Sequence, residues 1–97
     1  MPDKFFVGVG SADLLIEDSH SLKDKRRIIK SLKEKLQNTF PLSVCEYGDQ
    51  SLWQRSQLGL AVCSNDLKII HSTLNNINEY LQSNPLITLL NFETQVI

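Results

Sequence analysis

SQLGLAVCSNDLKIIHSTLNNINEYL, residues 56–81, changes its hydrophobic period once, and that change decides how the chain is built. Over residues 56–63 the side chains alternate: Leu58, Leu60 and Val62 share one face, Gly59, Ala61 and Cys63 the other. A period of two marks a strand, and neither face of this one carries a charge. From Leu67 onward the spacing lengthens, and Leu67, Ile70, Leu74, Ile77 and Leu81 fall on one stripe of a helix. Ser64-Asn65-Asp66 supplies the helix start, because a side-chain oxygen there accepts from the unpaired amides of the first turn.

Working outward, residues 42–47 read as a short strand, joined to the next by Gly48-Asp49-Gln50 and Ser51-Leu52-Trp53. Upstream, Leu22, Ile29, Leu32 and Leu36, continuing to Phe40, make the apolar stripe of a helix over residues 22–39. Ser21, followed three residues later by Asp24, resembles a capping box at its start, and Pro41 stops it. Residues 5–16 form a long strand with Phe6, Gly10, Ala12, Leu14 and Ile16 on one side and Phe5, Val7 and Val9 on the other. Downstream, Ser83-Asn84-Pro85 ends the second helix, and residues 86–97 return to a strand with Leu86, Leu90, Phe92 and Val96 in one register.

The order β-α-β-β-α-β is the split βαβ arrangement of an α+β, ferredoxin-like fold: a four-stranded antiparallel sheet with two helices on one face. Residues 1–97 suit a single domain of this kind. Its first and third strands lie in the middle and are apolar or small on both faces, although helices cover only one. A like subunit is the expected cover for the second face, so the chain is expected to be a homodimer.

The charge total is nearly balanced, with 10 Lys or Arg against 11 Asp or Glu, which argues against a generally basic coat protein. Its distribution is uneven. Lys23, Lys25, Arg26, Arg27, Lys30, Lys33 and Lys35 stand on the first helix against Asp24 and Glu34, and the rest of the chain is net acidic. Cys45 and Cys63 sit singly in apolar stretches with no metal or redox spacing, and are expected to be buried thiols of a reducing, cytoplasmic compartment. No leader pattern opens the chain, and no apolar run approaches the roughly 18 residues of a membrane span.

Three runs also carry a family likeness: Ser19-His20-Ser21-Leu22-Lys23-Asp24-Lys25-Arg26-Arg27, then Leu52-Trp53-Gln54-Arg55, then Ser64-Asn65-Asp66. In this order they span the chain, and the sequence resembles the YlxP-like family of small bacterial proteins. The resemblance implies the same ferredoxin-like fold and little chemistry, since the family is a domain of unknown function. Neighbouring genes for translation initiation and ribosome maturation suggest, by association, a place near the ribosome. Glu17-Asp18 stands where a Pro-Gly is common in that family, and Ser11 where a basic residue is frequent.

On the first helix, Lys23, Arg26, Arg27, Lys30 and Lys33 fall within an arc of roughly 120°, a continuous positive strip beside the apolar stripe. Such a strip tracks phosphates without reading bases, and these five are the candidate nucleic-acid contacts. Ser19, His20, Ser21 and Lys25, at the helix start, are candidates for binding an anion, although Lys25 projects toward the apolar side. Trp53 with Arg55 is a candidate interface anchor or base-stacking pair.

Catalytic parts are wanting. No nucleophile stands with a base, nothing brings Asp13, Glu46 and Asp49 together, and Gly8 and Gly10 precede no helix and so form no phosphate loop. No cofactor, metal or membrane partner is expected. The expected function is therefore noncatalytic: association with RNA or the ribosome, ribosomal RNA above all, through the basic helix. The alternative is a protein-interaction or regulatory homodimer that meets an acidic protein or a small anion.

Overall fold

In the computed structural model, which describes residues 3–97, six elements follow in the order β1 (Phe6–Leu15), α1 (Leu22–Thr39), β2 (Ser43–Gly48), β3 (Arg55–Ser64), α2 (Leu67–Ser83) and β4 (Thr88–Val96). The strands form one antiparallel sheet in the order β2-β3-β1-β4, the ferredoxin-like arrangement. Alternation along the two central strands decides what each face sees. Ala12, Leu14, Leu58, Leu60 and Val62 point to the helices and are buried there with Ile29, Leu32 and Leu36 of α1 and Ile70, Leu74, Ile77 and Leu81 of α2. Their neighbours Val7, Val9, Gly59 and Ala61 lie on the opposite face, only half covered.

Gly8 explains how closely α2 sits on β1. A Cβ there would stand 2.6 Å from Ile70 Cγ2 and 2.9 Å from Leu74 Cδ1, so the second helix packs directly on the strand backbone. That closeness, and not a phosphate, is what the glycine serves.

Two expectations are corrected. Cys45 and Cys63 are exposed, not buried, because their strand positions turn them onto the face that the helices leave open. Of the residues expected in the last strand, Leu86 and Leu90 are also exposed, each at 45 %. For Leu90 the reason is a register shift between Asp13↔Asn91 and Leu14↔Leu89, which leaves it without a partner and reverses the parity of the residues before it. Ile87 and Leu89 therefore face the core, together with Phe92 and Val96. Leu86 belongs instead to the turn after α2, its amide donating to Asn84 Oδ1 at 2.9 Å.

Candidate nucleic-acid interface

The basic helix begins where Ser21 caps it. Ser21 Oγ accepts from the Asp24 amide at 3.0 Å, while the Asp24 carboxylate reaches back to the His20 amide at 3.3 Å, one residue before the place a strict capping box would use. From this start the apolar stripe turns inward through Ile29, Leu32 and Leu36, and the opposite arc turns out. Lys23, Arg26, Arg27 and Lys30 are exposed and Lys33 is half-buried. Among the described residues only Arg27 of these five meets a carboxylate, at 3.6 Å from Asp24, with three quarters of its side chain in water. So solvated a pair neutralises little.

The four residues proposed for an anion site are not brought together around a pocket. Ser19 is fully buried, and its hydroxyl donates to the Ser21 carbonyl at 3.1 Å. The Ser21 hydroxyl is engaged in capping, and only His20 stands exposed. Lys25 is fully buried: its ammonium forms an ion pair with Glu46 at 3.0 Å and donates to the carbonyls of Asp49, Gln50 and Arg55 at 2.7, 3.0 and 3.3 Å. This cation fastens α1 to the β2–β3 connection. With three hydrogens facing four oxygens, it has none left for a ligand.

The Lys25–Glu46 pair belongs to a polar cluster that sequence reasoning missed. Glu46 stands opposite Leu58, on the helix-covered face, and also accepts from the buried Ser56 hydroxyl at 2.7 Å. The only signal for it was a lysine on the apolar side of a helix. Asp13 lies on the other face, where both its oxygens accept from Arg55 Nη2 at 3.1 Å. Asp13 and Glu46 thus stand on opposite sides of the sheet and cannot act as a carboxylate pair. Trp53 is 55 % exposed beside Leu52, outside the core.

The open face is floored by Val7, Val9, Gly59 and Ala61 and crossed by Tyr47, whose ring passes over Gly59 and whose hydroxyl meets Ser11 Oγ at 2.6 Å. No helix among the described residues is long and apolar enough to cross a membrane.

A family described as "Protein of unknown function (DUF503)" matches residues 7–94. The "Uncharacterized protein YlxP" of Bacillus subtilis (strain 168) is 32% identical over 79 residues, covering 81% of this chain and 86% of that one. Among solved structures, the de novo designed protein Foldit4 superposes with a TM-score of 0.54 at 13% identity, covering 95% of this chain and 96% of its own. A putative antibiotic biosynthesis monooxygenase from Bacillus cereus reaches 0.43 at 11% identity, over 96% and 90% of the two chains. The likeness to the designed protein concerns the fold alone.

Proposed function

The chain belongs to the DUF503 family, described only as proteins of unknown function, and on that premise we propose that it is a noncatalytic RNA-binding protein whose first helix holds phosphates. One observation carries the reading. Lys23, Arg26, Lys30 and Lys33 project from one arc of α1 without a carboxylate partner among the described residues, in a chain whose formal net charge is −1. A segregated strip in a nearly neutral protein concentrates its field at one surface, which suits a polyanion better than a scattered charge would. Phosphates along an RNA backbone repeat at a spacing that several such side chains can follow, and binding is driven by the release of condensed counterions. Ribosomal RNA, as the target, is part of the proposal.

The same reading includes a homodimer. Val7, Val9 and Ala61 on the uncovered face favour a second copy as its cover, with the basic helices turned outward on the far sides.

Fluorescence anisotropy of labelled RNA against salt concentration tests the phosphate contacts. Four or five contacts predict a log-log slope of about −3 to −4. A flat salt dependence, or full affinity in an Arg26→Glu, Lys30→Glu variant, would remove the RNA reading and leave an acidic protein or small anion as the partner of the basic helix.

A further inference from the structure

The loop between β2 and β3 presents Leu52 and Trp53 to solvent, 47 % and 55 % exposed, yet its backbone is gripped from both sides. Lys25 Nζ holds the carbonyls of Asp49, Gln50 and Arg55, and Gln54 Nε2 donates to the carbonyls of Glu17 and Ser19 at 3.1 and 3.3 Å. The Ile16 amide donates to the Gln54 carbonyl at 2.8 Å. An apolar residue shown to water on so fixed a loop needs little further ordering to bind, which favours a ligand.

Residues 51–55 line an open hollow of about 370 Å³. No carboxylate lines it, and the one cation, Arg55, is balanced by Asp13 at 3.1 Å. The hollow is therefore close to neutral, with an indole in its wall, and suits a flat uncharged ring. A phosphate would be a poor occupant, the more so because Glu17 and Asp18 stand exposed on the adjoining loop. Phosphates are provided for nearby: the lysine that grips the loop lies between Lys23 and Arg26, at the start of the strip.

We infer that this hollow receives an unpaired nucleobase, stacked on Trp53, from the same RNA whose phosphates lie along α1. The inference rests on the RNA-binding reading and narrows it to RNA with single-stranded or bulged nucleotides, because bases inside a continuous duplex are stacked on one another and out of reach.

Trp53 is the only tryptophan in the chain, so its emission reports this site alone. The full chain is titrated with a short labelled single-stranded RNA and, separately, with the duplex of the same sequence, following anisotropy and tryptophan emission together. Expected are quenching by the single strand and not by the duplex, a roughly 5- to 160-fold weaker hold on the single strand, the value of one stacked base, in Trp53→Leu, and duplex affinity unchanged. Trp53→Phe, which keeps a ring, retains most of the single-strand affinity. Binding with unaltered emission and unaltered affinity in Trp53→Leu overturns the base site while leaving the RNA reading intact. No anisotropy change with either RNA overturns both. Equal weakening for single strand and duplex assigns Trp53 to holding the strip in shape, and an emission shift on concentrating the protein without RNA assigns the hollow to a second copy; either result overturns the inference.

Discussion

Lys25 carries a heavier structural duty than any other charged residue in the chain. Removing its ammonium would leave the Glu46 carboxylate, 15 % exposed, with one hydroxyl donor and would take a donor from each of the Asp49, Gln50 and Arg55 carbonyls, that of Asp49 keeping the Leu52 amide at 3.1 Å. Breaking one side of a buried pair is costly even where the whole pair adds little. Lys25→Met should lower the unfolding free energy by about 3 kcal/mol, read from urea denaturation; an unchanged midpoint would mean that the clamp contributes nothing. Gly8→Ala should cost about 1–3 kcal/mol in the same assay, because the β-branched Ile70 cannot swing away from the added methyl. Half of the clamp is legible in the sequence, since the helical period places Lys25 on the apolar side. Its partner is not: that Glu46 points under α1 depends on how β2 pairs with β3, an encounter between distant residues that no local period records.

Helix α1 has two faces that answer to different tests. Its start relies on Ser21, and Ser21→Ala should cost about 1 kcal/mol by removing the bond to the Asp24 amide. Its outer arc contributes almost nothing to folding, so Arg26→Glu with Lys30→Glu should shift stability by no more than about 0.5 kcal/mol. The same pair should lower RNA affinity at every salt concentration and make the salt slope shallower by about one for each phosphate that is no longer neutralised. Both helices are readable because their apolar stripes, broken in α1 only by Lys25, keep the helical period and their caps are local. The last strand is readable only in part: Phe92 and Val96 obey the expected register, but the bulge at Leu90, imposed by pairing with β1, turns that residue outward, and Leu86 lies in the turn before the strand.

At the scale of the whole molecule, the sheet has one face under helices and one that no element among the described residues covers, and the two cysteines mark the difference. The apolar neighbours of Cys45 and Cys63 point to burial; both thiols are exposed because an apolar neighbour says nothing about which face is covered. If a second copy covers that face, sedimentation equilibrium should find a species of twice the chain mass. Val9→Glu, which places a carboxylate in the middle of the interface, should return it to a single chain and speed the reaction of the thiols with a labelling reagent. A single-chain mass for the unaltered protein would rule the dimer out. The basic strip would remain in either case, and the proposed function depends on it most. Its most direct test is sedimentation of the tagged full chain from a gentle bacterial lysate, with and without nuclease, beside the Arg26→Glu, Lys30→Glu variant. The unaltered chain is predicted to travel with ribosomal particles or RNA, and nuclease or charge reversal to release it; co-sedimentation that survives both treatments, or never occurs, would contradict the RNA-binding role.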